Sequence, residues 1–311
     1  MPALSFPELD ISLPRLGRAL IVAVGLVAAA CARDARPVAL VRSAAVIVDD
    51  FGDTLRLGAR PSRIVSLNPT TTELVYPLGA GPRLVGRSRW DTFPDSALLV
   101  PEVGDGIRPN VEAVLARRPD LVLLYASADN RAAAAAFRAA GVPTLALKID
   151  RVRDFAHGVT LIAAAVGDSA RGRVVADSVL ATIARVKRAT ASLPHPTVFW
   201  QLWDRPLMAV GAGSFLAELL DAAGARSVYA DLAAPSPVVS AEDLLRRDPE
   251  VILTGEVRAE TFATGRAWAS SRARRTGRIY TLDSTFAAVP SVRMGQSAVT
   301  LARLLHPEVA P

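Results

Sequence analysis

One block of sequence occurs twice, and it limits this chain to a layered α/β architecture. The first copy is Glu112, Val114, Leu115, Arg118, Pro119 and Asp120, followed by Leu121-Val122-Leu123. The second is Glu242, Leu244, Leu245, Asp248, Pro249 and Glu250, followed by Val251-Ile252-Leu253. In each copy a glutamate stands seven positions before a proline, and an acidic residue and an apolar run follow at once. Apolar positions at helical spacing, stopped by proline, predict a short helix, and the short apolar run after it predicts a buried strand. Upstream, Glu73-Leu74 and Glu218-Leu219 each lie six positions before a glycine, Gly79 and Gly224. The repeat predicts two related lobes. Helix–proline–strand junctions are common in α/β chains, so coincidence is the alternative.

The intervening sequence alternates in the same way. Ile64 to Leu67 reads as a strand, and Asn68-Pro69 opens a helix, asparagine as cap and proline in the first turn. Thr70 with Glu73 offers a second capping register. Further strands are predicted at Leu121 to Leu124 and Thr144 to Leu147. Helices are predicted at Val111 to Arg118 and at Arg131 to Ala140. In the second half, strands are predicted at Thr197 to Leu202, Val251 to Leu253 and Ile279 to Leu282. Helices are predicted at Phe215 to Ala223, around Leu244-Leu245, and at Val292 to Leu305. Strand–helix alternation of this kind predicts mostly parallel sheets. Trp200 falls out of phase with Gln201 and Trp203, which places it in the core.

Residues 168–192 differ from both halves. Asp168-Ser169 can cap a helix, and Val175, Val179, Ile183 and Val186 recur at helical spacing before Pro194 and Pro196. A helix of about 22 residues spans roughly 33 Å. A single stiff connection of that length forbids a wide hinge and makes the cleft between the lobes the natural ligand site. The fold class expected is therefore α/β, two Rossmann-like lobes joined by one long backbone helix. The divisions expected are an N-terminal lobe at 61–167, the helix at 168–192 and a C-terminal lobe at 193–311, with 31–60 a tether and leading strand.

The first thirty residues have another character. Arg15 and Arg18 precede an apolar run from Ala19 to Ala30, short of the roughly 20 residues that span a bilayer. A basic start, a short apolar core and small residues at a boundary describe a secretory signal. The boundary, Ala28-Ala29-Ala30-Cys31, resembles a bacterial lipobox, in which the cysteine is lipidated. The alternative is an ordinary cleaved signal with Cys31 incidental. Glu8 and Asp10 are unusual in a signal and suggest a start downstream.

Much chemistry is excluded. Cys31 is the only cysteine, so the chain has no disulfide framework, thiolate zinc site or cysteine-held metal cluster. The three histidines, His157, His195 and His306, are not paired at metal spacing. No nucleophile elbow or phosphate loop occurs. The net charge of +6 is spread along the chain without an aromatic-laced basic stripe, which argues against nucleic acid.

Several motifs resemble one family closely: Arg63-Ile-Val-Ser-Leu-Asn-Pro-Thr-Thr-Thr-Glu73, Val103-Gly-Asp leading to Asn110-Val-Glu112, Pro119-Asp-Leu-Val-Leu123, Ser240-Ala-Glu242 and Leu301-Ala-Arg-Leu-Leu-His-Pro307. They resemble the solute-binding proteins of bacterial importers for cobalamin, haem and ferric siderophores, and the cobalamin branch most. The resemblance runs from about Arg63 to Pro307. It implies a periplasmic or otherwise extracytoplasmic receptor, anchored if Cys31 is acylated. Such a receptor is not an enzyme and carries no cofactor or metal. It would act as a monomer, delivering a corrinoid to an ABC transporter permease dimer with its ATPase subunits. It implies that Glu112 and Glu242, one per lobe, dock onto arginines of the two permease subunits. Their other possible role is to favour a helix N-terminus. It implies ligand contacts from Trp90 and Tyr125 in the first lobe and from Trp203 and Phe286 in the second. Arg293 either touches the ligand rim or anchors its own loop. Tyr125 is a stacking wall for a corrinoid, or an iron ligand if the cargo is haem. Haem or a ferric siderophore is the alternative cargo. An extracytoplasmic hydrolase or a non-transport surface lipoprotein is the alternative of another class.

Overall fold

The acidic residue that follows each repeated proline explains the repeat. In a computed structural model describing residues 45–283, 286–287 and 289–308, Asp120 and Glu250 each tie down the start of the neighbouring strand. Asp120 accepts from the Ser62 and Arg63 amides at 2.8 Å each, at the foot of β3 (Ile64–Ser66). Glu250 accepts from the Thr197 amide at 2.8 Å, the first residue of a long strand, Thr197–Trp203. The residue before each proline, Arg118 or Asp248, takes a left-handed backbone, with φ of 50° and 43°. Gly79 and Gly224, at 72° and 74°, close the paired upstream helices in the same region, which glycine adopts without steric cost. Cys31 and the proposed signal at 1–30 lie outside the described residues.

The first lobe begins with a hairpin, β1 (Ala45–Val48) against β2 (Thr54–Leu57), then β3. It continues through α1 (Pro69–Val75), β4 (Leu84–Arg87), α2 (Val111–Leu115), β5 (Leu121–Tyr125), α3 (Ala128–Ala139), β6 (Thr144–Leu147) and α4 (Phe155–Val166). Then comes α5 (Ser169–Thr190). The second lobe holds β7 (Thr197–Trp203), β8 (Met208–Ala209), α6 (Phe215–Ala222), β9 (Arg226–Ser227), α7 (Ala241–Arg247), β10 (Val251–Thr254), α8 (Glu256–Thr264), α9 (Arg272–Arg275), β11 (Ile279–Thr281) and α10 (Met294–Leu305).

The sheets repeat one another. The first runs β4-β3-β5-β6, all parallel. The second runs β9-β7-β10-β11, also parallel, with β8 added antiparallel on β7. Taken in chain order, both lobes place their strands as second, first, third, fourth. Two mostly parallel lobes are thus present, and Trp200 is 5% exposed, in the core.

The predicted elements differ in detail. The helix at 111 is one turn long because Arg118 turns left-handed before Pro119. The helix expected from Arg131 begins at Ala128, because the Ser127 hydroxyl accepts from the Asn130 amide. Asn68 does cap α1, accepting from the Thr70 amide at 2.7 Å.

The backbone helix α5 is built by its buried stripe, Gly172, Ala176, Val179, Ile183, Val186 and Thr190, at steps of three and four. It packs between α4 and α10. Gly172 permits the closest approach, since a Cβ there would stand 2.4 Å from Ala163 Cβ. Thr190 Oγ1 donates to the Ala222 carbonyl at 3.0 Å and ties α5 to α6. One apolar core runs through both lobes and this helical layer, from Ile162 and Val166 through Ile183 to Leu219, Leu220 and Leu301. Burying one such side chain contributes about 1.5–3 kcal/mol. Phe137 anchors the outer layer of the first lobe; Phe199, Phe262 and Trp268 anchor that of the second.

Candidate ligand cleft

Parallel strands present their carboxyl ends on one edge, and ligands of open α/β sheets bind there. Here that edge holds a cleft of about 870 Å³ lined from both lobes. The first lobe supplies Asp50, Tyr125, Lys148, Asp150, Arg151, Arg153, Asp154 and His157; the second supplies Ser214, Phe215, Pro235 and Pro290. A recess of about 260 Å³ shares Tyr125, Ile149, Asp150 and Pro290 with it and reaches Asn68 to Thr71 at the start of α1.

Tyr125 is the last residue of β5, and its backbone is fixed by Asn130 Nδ2, which donates to the Tyr125 carbonyl at 3.0 Å. Its hydroxyl donates to Asp150 Oδ1 at 2.6 Å. Burial first, then the Asp150 carboxylate, push the phenol well above its ordinary pKa.

The charged wall follows β6. Asp154 accepts from the Asp150 and Arg151 amides at 3.2 and 3.0 Å, bending the segment into the start of α4. Asp50, from the turn of the β1–β2 hairpin, accepts from the Lys148 amide at 2.6 Å and meets His157 Nε2 at 3.0 Å. The hairpin turn docks on β6 itself, where Asp49 Oδ2 accepts from the Ala146 amide at 3.1 Å. Lys148 Nζ lies 3.8 Å from Asp150. Acids and bases thus alternate along one side of the cleft.

Of the ligand contacts expected from sequence, only Tyr125 lines the cleft. Trp90 is 56% and Trp203 63% exposed, and neither borders the cavity. Trp90 sits on a turn bolted down by Asp91, which accepts from the Ser88 hydroxyl and amide and from Thr72 Oγ1. Burial raises the pKa of Asp91 despite those bonds. Trp203 ends β7 and donates its ring N–H to the Arg205 carbonyl. Phe286 is half-buried and packs on Trp200, with ring centroids 6.2 Å apart. Arg293 binds Glu73, with Nε 2.9 Å from Oε2 and Nη2 2.6 Å from Oε1. Glu112 and Glu242 are both exposed, each the second residue of its helix, α2 or α7. Asn110 and Ser240 cap those helices by accepting from Ala113 and Asp243.

Sequence reasoning missed Asp50, the run Lys148 to Asp154, Phe215 and Pro290. The run Lys148-Ile-Asp-Arg-Val-Arg-Asp154 did carry a signal: a charge-dense segment straight after an apolar strand. His157, one of the three histidines not paired at metal spacing in the sequence, also borders the cleft.

Residues 64–285 match the model of the periplasmic binding protein family. The chain belongs to that family. This periplasmic binding protein is a binder of solutes and not an enzyme, as its relatives are. The vitamin B12-binding protein of Vibrio parahaemolyticus is 24% identical over 245 residues, covering 78% of this chain and 89% of that protein. The crystal structure of the periplasmic vitamin B12 binding protein of Vibrio cholerae matches with a TM-score of 0.70 at 24% identity, covering 79% of this chain and 96% of that one. The periplasmic haem-binding protein of Roseiflexus sp. RS-1, in its apo form, matches with a TM-score of 0.71 at 26% identity, covering 79% and 98%. Among the described residues no helix is long and apolar enough to cross a membrane.

Proposed function

We propose that this periplasmic binding protein captures cobalamin or a related corrinoid in the cleft and delivers it to an ABC importer. The observation that carries the reading is the mixed charge of the rim, where Asp50, Asp150 and Asp154 interleave with Lys148, Arg151 and Arg153. A corrin rim bears amides, each both donor and acceptor, which can insert between acids and bases alike. A porphyrin rim bears carboxylates, and each of these three cations already faces an acid: Lys148 faces Asp150, Arg151 faces Glu218 and Arg153 faces Asp154. The Tyr125 hydroxyl is committed to Asp150, so the ring face is what this residue offers a flat ligand. Tyr125, Phe215 and Pro290 supply the apolar wall for a flat ring.

In this reading Trp90 and Trp203, near the carboxyl ends of β4 and β7, meet the part of a large cargo that projects from the cleft. Phe286 and Arg293 act by fixing the loop that carries Pro290. Glu112 and Glu242 engage basic pockets on the two permease subunits, one per lobe, beside the associated ATPases. A signal at 1–30 exports the chain, and acylation of Cys31 holds it to the membrane as a monomer. Protein isolated from cells that make it naturally is the test. Its absorbance and mass spectra should reveal a corrinoid. A haem Soret band instead would replace the cargo with the family's other one.

A further inference from the structure

Two ion pairs cross between the lobes, and they occupy matching places in the duplicated fold. The segment between β6 and α4 carries Arg151, which reaches Glu218 on α6 of the second lobe. The segment between β11 and α10 carries Arg293, which reaches Glu73 on α1 of the first lobe. Glu73 and Glu218 are the repeated glutamates six positions before Gly79 and Gly224. Each lobe therefore grips the first sheet-following helix of the other with an arginine from the connection after its own last strand.

The two grips are unequal. Glu73 is 3% exposed and its carboxylate is forked by Arg293, whose side chain is 22% exposed. Ser291 Oγ donates to the same carboxylate, and the Arg293 guanidinium lies 4.5 Å over the Phe93 ring. Parting this pair leaves a buried charge without its partner. Arg151 and Glu218 are 25% and 27% exposed, and both guanidinium contacts fall on Oε1, at 2.8 and 2.6 Å. Glu218 Oε2 takes the Val152 amide at 2.6 Å. Water can replace these bonds when they part. This second grip also borders the ligand: Arg151 lines the cleft from one side, and Ser214 and Phe215, at the head of α6, line it from the other.

We infer that the cleft widens by release of the Arg151–Glu218 clamp, while the Glu73–Arg293 clamp holds as the fixed point. The core shared through α5 keeps the movement small. Arg151 and Glu218 are positioning residues that set the distance between the cleft walls. The inference rests on the proposed function only in taking the cleft as the ligand site, since the movement itself is measured without ligand.

Spin labels at Ala135→Cys on α3 and Glu260→Cys on α8, both exposed, report the inter-lobe distance in the full chain carrying Cys31→Ser. Double electron–electron resonance should give one narrow distance for this protein. Glu218→Gln and Arg151→Gln should each add a longer component. They should also speed cyanocobalamin release about five- to tenfold and leave the melting temperature nearly unchanged. Glu73→Gln should lower the melting temperature more than either without adding the longer component. An unchanged distance in Glu218→Gln and Arg151→Gln overturns the inference, as does equal lengthening in Glu73→Gln. If cyanocobalamin fails to bind at all, the corrinoid reading falls while the distance measurement still decides the clamp.

Discussion

Replacing Asp120 with alanine tests the physical basis of the duplicated fold. Its carboxylate accepts from the Ser62 amide at 2.8 Å, the Ser62 hydroxyl at 2.7 Å and the Arg63 amide at 2.8 Å, and so fixes the foot of β3. A hydrogen bond to a charged group contributes about 1.5–3 kcal/mol when sheltered. Asp120 is only partly buried, and water can replace much of each bond, so Asp120→Ala should cost about 2 kcal/mol in total. For a chain of this size that lowers the melting temperature by about 3–4 °C. Burial raises the pKa of Asp120, but the Ser62 and Arg63 bonds outweigh it and hold the group below its ordinary value. A depressed folded-state pKa contributes stability that is fully present above the ordinary aspartate value of about 3.9 and is lost as pH falls through the folded value. The deficit of Asp120→Ala should therefore be full at pH 7 and shrink as the pH is lowered below the ordinary aspartate value, measured by calorimetric melting at pH 7 and in the acid range. No deficit at pH 7, or the same deficit in the acid range, would refute the reasoning.

Gly172→Ala would put a methyl 2.4 Å from Ala163 Cβ, force α4 and α5 apart and cost about 1–3 kcal/mol, read by urea unfolding. Tyr125→Phe keeps the ring and loses the bond to Asp150, so cyanocobalamin affinity should fall less than about fivefold. Tyr125→Ala, which removes the wall, should lose more than about tenfold by calorimetry. The double variant Glu112→Lys with Glu242→Lys should bind ligand normally and fail to support uptake in cells, since both carboxylates are exposed and neither lines the cleft. Normal uptake would remove their docking role.

The repeat was legible because its residues do the same work twice: a left-handed residue before a proline that follows a helix, and an acid that ties down the start of the neighbouring strand. β4 escaped notice because Leu84-Val-Gly-Arg87 is short and interrupted by glycine. α4 escaped because Phe155 to Val166 is buried on most of its surface and lacks a polar face to set a period. The cleft was harder still. Tyr125 was placed by the family resemblance and not by a local pattern, and its partner Asp150 comes from another strand's loop. Arg293 finds Glu73 across 220 positions, and Arg151 finds Glu218 across 67. No local pattern specifies such pairs; they follow from how the two lobes pack on α5.

The central claim is that the cleft between the lobes takes a corrinoid. Calorimetric titration of the purified chain with cyanocobalamin, with haem in parallel, tests it most directly. The account predicts saturable binding of one cyanocobalamin per chain, weakened by Tyr125→Ala, and weaker or absent binding of haem. Heat with haem alone, or cyanocobalamin binding that Tyr125→Ala leaves intact, would contradict it.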